Sequence, residues 1–405
     1  MGVRDDGTPH RSHVQSKDKQ KVINGVSKLE EERSSGVVRK PGRVPTVAEW
    51  LTEWVENIAP LTVRFKTLAG YRTAVYKHLI PGAGAHRMDK VEPKNFEKLY
   101  ARMIREGLEP ATAHQVHRTG KTAFREARKR KVIVEQPFDI VKAPRVEEEE
   151  VEPFEIEEIQ ALIATALTRR NGVRFVLALA LGTRQGETIG FRWTRLNERT
   201  KVLRVSKQRQ RQTYEHGCIN LAACAKNHHK TKPCEQPCKR HKKCPPPCQP
   251  GCVKHARYCP KRIGGVVEVD VKSAAGRRGL RLPDQLFDLL MAHKEAQDKE
   301  HLVAGNMWQP GEWMFTQPNG KPVDPRSDAY EWKALLAEAG VRDARLHDAR
   351  HTAATVLLLL GVPERTAMEF MGWSNSKLAQ RYQHITAAMR DDVANRVNAF
   401  LWAAN

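Results

Sequence analysis

His347-Asp348-Ala349-Arg350-His351-Thr352, followed by Met371-Gly372-Trp373-Ser374 and then Arg381-Tyr382-Gln383-His384, is the stretch that decides how this chain reads. His347 stands three residues before Arg350, so on a helix both side chains leave the same face. Such a pair suits a phosphate. A guanidinium fork offers parallel N–H donors to two non-bridging oxygens, and an imidazole can hydrogen-bond or move a proton. Alone the pair says little, because a surface arginine and a core histidine can share that spacing. Two upstream segments extend it. Leu181-Gly182-Thr183-Arg184-Gln185-Gly186-Glu187 runs into Phe191-Arg192-Trp193, and Val271-Lys272-Ser273-Ala274-Ala275-Gly276-Arg277-Arg278 precedes Leu282-Pro283. Arg184 is a second candidate phosphate ligand. Glu187 lies three residues further on, within helical reach to orient it.

Taken in order, Arg184, Lys272, His347, Arg350, Trp373 and Tyr382 resemble the catalytic set of the tyrosine recombinase (phage integrase) family. The resemblance covers most of the chain. It implies a mainly α multidomain protein: a helical, SAM-like core-binding domain and an α+β catalytic domain. It implies that Tyr382 attacks a DNA phosphate, leaving a 3′-phosphotyrosine and a free 5′-hydroxyl. Arg184, Arg350 and His347 would stabilise the charge that develops on the phosphate. Lys272 would be the general acid for the departing oxygen. Lys207 also ends a β-type run and competes for that role, but the Lys-Ser, Arg-Arg, Leu-Pro context favours Lys272. Trp373 stands where the family more often has histidine; its indole N–H can donate a hydrogen bond but cannot shuttle a proton. No ATP, metal or other cofactor is then needed for the chemistry.

The expected activity is site-specific recombination that integrates or excises a mobile element, by a homotetramer on two double-stranded DNA attachment sites. An accessory DNA-bending or excision protein is an expected partner. Two readings share the chemistry, a type IB-like topoisomerase and a chromosome-resolving recombinase. A zinc-bearing, non-catalytic DNA-binding regulator is the alternative of another class.

Composition points the same way. The chain has 405 residues, enough for two to four domains, and a formal net charge of +22, which calls for a polyanionic partner. No run of apolar residues is long enough to span a membrane, and the N-terminus has no signal-peptide core. The expected location is the bacterial cytoplasm, at the nucleoid. The charge is uneven: residues 1–45 carry +4, 46–145 carry +8, 207–262 carry +12, and the remainder −2.

Residues 1–45 read as a basic arm, either partly disordered or the end of an arm-binding domain lacking its first strands. A short strand at His10–Val14 and a helix at Lys17–Arg33, with Val22, Val26 and Leu29 on one side, are expected there. Residues 46–145 read as four helices: one capped by Thr46, one through Thr67–Leu79 ending at Pro81-Gly82, one at Pro93–Arg105 and one from Ala111 to about Arg130. Arg64, Lys66, Arg72, Lys77, Arg125 and Arg128 to Lys131 form a basic face suited to DNA. Residues 146–153 form an acidic linker, and the acids continue into a helix start where the dipole favours them. Residues 154–405 form the catalytic domain. Helices are expected at 155–167, 173–181, 185–191, 284–299, 328–338, 348–360, 363–371, 376–383 and 387–402, with β-type runs at Lys201–Val205 and Val266–Val271.

A cysteine-rich insertion, 207–262, interrupts this domain. It holds all eight cysteines: Cys218, Cys224, Cys234, Cys238, Cys244, Cys248, Cys252 and Cys259. His216, His228, His229, His241 and His255 lie in or beside it. Few apolar residues and three consecutive prolines at 245–247 exclude an ordinary core. Eight thiolates would fill two tetrahedral zinc sites, and the metal would supply the folding energy that a core would otherwise provide. Disulfides are disfavoured in a cytosolic chain. Its charge makes the insertion a candidate DNA-contacting module.

Overall fold

The structure, a computed structural model, describes residues 2–3, 9–10, 14–34, 44–147 and 152–376, apart from 222, 225, 231, 236–245, 249–251 and 253. The chain divides into two compact units, Met1–Glu149 and Glu150–Asn405.

In the first unit, strand β1 (Gly2–Val3) pairs antiparallel with β2 (Pro9–His10). The expected strand at His10–Val14 is thus shifted: Val14 lies in coil, where its side chain takes the space a Cβ on Gly25 would need. Helix α1 covers Lys19–Ser34. Val22 is half-buried and Val26 exposed, while the side chain of Leu29 lies outside the described residues.

Helix α2 (Val47–Glu53) starts where expected. The Thr46 hydroxyl accepts from the Glu49 amide at 3.1 Å, and the Glu49 carboxylate accepts from the Thr46 amide at 2.7 Å. That reciprocal cap satisfies two N–H groups left over at a helix start. The next helix, α3 (Phe65–Ala74), does not stop at Pro81-Gly82. It passes through a π-turn at Val75–Leu79 into α4 (Ile80–Ala83). Pro81 falls in the first turn of the new segment, where a missing N–H costs nothing. Helices α5 (Pro93–Arg105) and α6 (Pro110–Lys129) bury Phe96, Leu99, Met103, Val116 and Phe124. Phe96, Phe124 and Phe138 meet ring to ring. On the basic face Arg64, Lys66, Lys77 and Arg125 are exposed. Arg72 is instead paired to Glu56 at 2.6 Å, Arg128 to Asp139 and Arg130 to Glu126, both at 2.8 Å.

The second unit is α+β. Helix α7 (Ile156–Leu167) opens with Glu155 and Glu158 in a reciprocal cap, so the end of the acidic run serves the helix start. Helix α8 (Val173–Leu181) is buried almost all round and forms the centre of the core. Helix α9 is shorter than expected, Gln185–Thr188. Strands β3 (Leu196–Asn197) and β4 (Val202–Val205) join the later β7 (Arg278–Arg281) in an antiparallel sheet of order β3-β4-β7.

Between β4 and β7 a separate two-stranded ribbon projects, β5 (Lys207–Glu215) paired with β6 (Ile263–Asp270). Residues 207–215 are therefore ribbon, and the cysteine block occupies its tip. Strand β5 reads Lys-Gln-Arg-Gln-Arg-Gln-Thr-Tyr-Glu and has no apolar face to reveal it. It is held by pairing with β6 and by ions at its base: Arg192 and Arg195 both bind Glu268 at 2.8 Å, and Arg211 binds Asp324 at 3.1 Å.

Helices α10 (Asp284–Ala304), α11 (Pro325–Glu338), α12 (Leu346–Leu359) and α13 (Glu364–Met371) complete the described unit. Its deepest ion pair, Arg174 to Asp328 at 2.7 Å, joins α8 to α11, and the Gln185 amide donates to the same carboxylate at 2.9 Å. The helices expected at 376–383 and 387–402 fall almost wholly outside the described residues. Among the described residues no helix is long and apolar enough to cross a membrane.

Candidate active site

Three turns and one helix converge at the C-terminal end of α8. Gly182 ends α8 with φ +58°, and a Cβ there would lie 2.7 Å from the Met371 sulfur. Glycine takes that backbone at no steric cost and leaves room for the Met371 side chain. Two residues on, Arg184 precedes α9. Its backbone N–H donates to Glu187 at 3.1 Å and its Nη1 donates to the same carboxylate at 2.7 Å. Glu187 is 1 % exposed and also accepts from Arg278 Nη2 at 3.0 Å. Burial alone would raise its pKa, but Arg278 and Arg184 more than offset that and hold it below the usual carboxylate range. Glu187 thus orients Arg184, as its spacing implied, and anchors a second arginine besides.

Arg278 carries no signal in the sequence beyond its place in the Arg-Arg pair. It sits on β7, donates from Nε to the Phe370 carbonyl at 2.7 Å and from Nη1 to the Gly276 carbonyl at 3.2 Å, and so ties the turn after β6 to α13. Lys272 lies in that turn. Val271 before it is buried, with its amide on the Ser206 carbonyl at 3.2 Å, whereas Lys272 itself is exposed. Its competitor Lys207 is paired to Asp270 at 2.6 Å. The Gly372 turn (φ +64°) packs onto the same loop; a Cβ there would lie 3.0 Å from the Ala275 carbonyl and from Arg278 Nη1.

Helix α12 supplies His347 and Arg350. Arg350 is 2 % exposed, and its two Nη atoms donate to the carbonyls of Gly182 and Met371. The terminal nitrogens expected to grip a phosphate are thus engaged by backbone on either side of the site. In this structure Arg350 clasps the Arg184 turn to the Trp373 turn. Its guanidinium carbon is 5.9 Å from the Trp373 ring centre. Trp373 is buried and packs with Ala354 and Met371. His347 is exposed, with its ring perpendicular to that of His351 at 4.9 Å. Desolvation, then the electrostatic effects of His351, Arg350 and Arg184, outweigh the opposing Asp348 carboxylate and push its pKa down to about 4. Tyr382 lies outside the described residues. So do Cys238 and Cys244; Cys218, Cys224, Cys248, Cys252 and Cys259 are free thiols in the ribbon tip, where Cys234 also lies.

The result is a cluster of placed cations around a neutral imidazole, built for an anion. A phosphate seated there would reverse the field on His347 and raise its pKa above the free value of about 4. The DNA complex would then hold a proton that the free protein lacks, so affinity should rise as the pH falls from 7.5 toward 5. Each unit of pKa rise corresponds to up to about tenfold in affinity. Binding isotherms for His347→Gln should lose this component; an unchanged pH profile would remove His347 from the phosphate's surroundings.

The family model described as the phage integrase family matches residues 282–389, an interval that contains His347, Arg350, Trp373 and Tyr382. An integrase from Saccharopolyspora erythraea is 61% identical over 409 aligned residues, covering 100% of this chain and 94% of that protein. A protein named tyrosine recombinase XerC-like, from Caldanaerobacter subterraneus, is 24% identical over 87% of this chain and 83% of its own length. Among solved structures, the Tn1549 transposon integrase in complex with transposon right end DNA has a TM-score of 0.64 at 16% identity, covering 89% of this chain and 100% of that one. A lambda integrase tetramer bound to a Holliday junction has a TM-score of 0.52 at 17% identity, covering 94% and 90%. These two share the fold.

Proposed function

Because the chain belongs to the tyrosine recombinases of the phage integrase family, we propose that it cuts and rejoins DNA at specific attachment sites through a covalent 3′-phosphotyrosine, and so integrates or excises a mobile element. The observation that carries this reading is the site's construction. Arg184, on the buried Glu187 carboxylate, and Arg350 and His347 on α12 are drawn together from segments about 160 residues apart in sequence. Tyr382 attacks the scissile phosphate. Arg184 steadies the negative charge that develops, His347 hydrogen-bonds the phosphate, and Lys272 protonates the departing 5′-oxygen. The phosphate ester is conserved in the covalent link, so the hydroxyl of a second strand can reverse the step without ATP. The chemistry needs no metal or other cofactor.

The working assembly would be a homotetramer on two duplexes, a reading supported by the lambda integrase tetramer bound to a Holliday junction, with an accessory DNA-bending or excision protein setting direction. The protein would act at the bacterial nucleoid. The test is a nicked suicide substrate bearing the chain's own attachment site, which should trap a covalent protein–DNA adduct. Tight binding without an adduct would point to a regulator instead.

Charge supports a second contact with DNA. The 207–262 segment carries +12, and its tip lies beyond the paired part of the ribbon. Removing residues 216–262 should lessen the salt dependence of DNA affinity. An unchanged slope would make that charge a solvated surface.

A further inference from the structure

Beyond β5 the chain leaves the ribbon at His216 and returns to it at Ile263. No apolar core holds this excursion together. Among its described residues Cys259 alone is buried, while Ile219, Leu221 and Tyr258 are exposed. What it gathers instead is two groups of four nitrogen and sulfur ligands. His216, Cys218, Cys224 and Cys259 form one; His229, Cys248, Cys252 and His255 form the other; within each, the ligand atoms lie within 4.8 Å of one another.

The spacing is that of a coordination tetrahedron. Zinc–sulfur bonds of about 2.3 Å and zinc–nitrogen bonds of about 2.0–2.1 Å give an edge of roughly 3.3–3.8 Å. Cys218 Sγ lies 3.8 Å from His216 Nδ1, and Cys248 Sγ lies 3.2 Å from His255 Nε2. His229 Nε2 is buried and has no hydrogen-bond partner among the described residues. A buried ring nitrogen without a partner is costly unless something binds it, and this one belongs to the second group. The backbone is shaped for the same purpose. Gly217 presses against the Lys261 carbonyl so closely that a Cβ would overlap it, which lets His216 and Cys218 meet Cys259 across the ribbon end. His255 takes φ +73°, unusual for a residue with a side chain, as it turns into its group.

We infer that the ribbon tip binds two zinc ions, one held by His216, Cys218, Cys224 and Cys259 and the other by His229, Cys248, Cys252 and His255. The first set closes the ribbon where its strands part; the second organises the loop beyond. Cys3His and Cys2His2 are donor sets suited to structural zinc and unsuited to magnesium or calcium, which seek oxygen. They replace the all-cysteine sites expected from the sequence: three histidines take three of the eight places in the two sets, and Cys234 is in neither. Zinc then stabilises a segment that has no core of its own.

The test uses the full-length protein. Zinc should co-purify with it, and peptide mapping should show the thiols of both sets resisting alkylation until a chelator is added. After chelation, proteolysis should cut within 216–262 while the helical remainder persists. Cys218→Ser with Cys259→Ser should remove about one zinc equivalent, and Cys252→Ser with His255→Asn about one more. Should a variant misfold, the unaltered chain still decides: cobalt(II) added after chelation should produce the visible absorption of a tetrahedral thiolate site. Protein without zinc whose thiols react at once would overturn the assignment. So would thiols released by a reductant rather than a chelator, variants that keep the full metal content, or cobalt that gives no visible bands.

Discussion

Tyr382→Phe should bind attachment-site DNA as tightly as the unaltered protein and form no covalent adduct, a loss of at least about 10³-fold in strand cleavage. The substitution removes one oxygen, the one proposed above as the nucleophile. The arginines of the site are held without it: Arg184 rests on Glu187, and Arg350 on the carbonyls of Gly182 and Met371. Binding and cleavage should therefore separate. The other tyrosines are engaged elsewhere. Tyr71 packs at a tilt against Trp54, Tyr76 donates to Glu56, and Tyr100 hydrogen-bonds His117. Tyr214 lies under Arg262, Tyr258 stacks on His228, and Tyr330 accepts from Arg326. An adduct that survives in Tyr382→Phe would transfer the nucleophile to one of these six. Gel retardation alongside a denaturing gel of the same reaction distinguishes the outcomes.

Arg350→Ala should lose both stability and catalysis. Its guanidinium is buried and satisfies two buried carbonyls, one on each side of the site. An unpaired buried carbonyl costs about 1–3 kcal/mol, so two should cost roughly 2–6 kcal/mol, and the melting temperature should fall by roughly 5–15 °C. Cleavage, measured well below that melting point, should drop by about 10²–10³-fold, because the Arg184 turn and the Trp373 turn are no longer clasped together. Arg350→Lys separates the two losses. It keeps the positive charge but its single ammonium cannot span both carbonyls, so stability should recover in part while cleavage stays low. An Arg350→Ala protein that melts normally and cleaves within a few-fold of the original would refute this role.

Much of the fold could be read along the chain. Helices α2, α5, α6, α8 and α12 follow apolar spacings or caps that lie within a few residues of one another, as with Thr46 and Glu49. The order of Arg184, Lys272, His347, Arg350, Trp373 and Tyr382 was likewise visible, because each sits in a short local motif. Glu187 was legible for the same reason, being three residues from Arg184. Less was readable where polar residues choose partners. Strand β5 carries no apolar alternation, so only its pairing with β6 marks it as a strand. The helix through Leu79 continued past Pro81 because a π-turn had already reset the hydrogen bonding.

At the site, local chemistry determined which residue types suit a phosphate, and the fold decided what each arginine touches. Arg278 reaches Glu187 across 91 positions, and Arg350 reaches Gly182 across 168. Neither distance leaves a trace in spacing. In the ribbon tip, the residues available to a metal were evident from their clustering; which histidine joins which cysteine was settled only when the strands brought residue 216 back to 259. The reason is common to all three cases. Periodicity and caps are short-range and are written in neighbouring residues, whereas a buried charge or a ligand set is satisfied by whatever the folded chain places within a few ångströms.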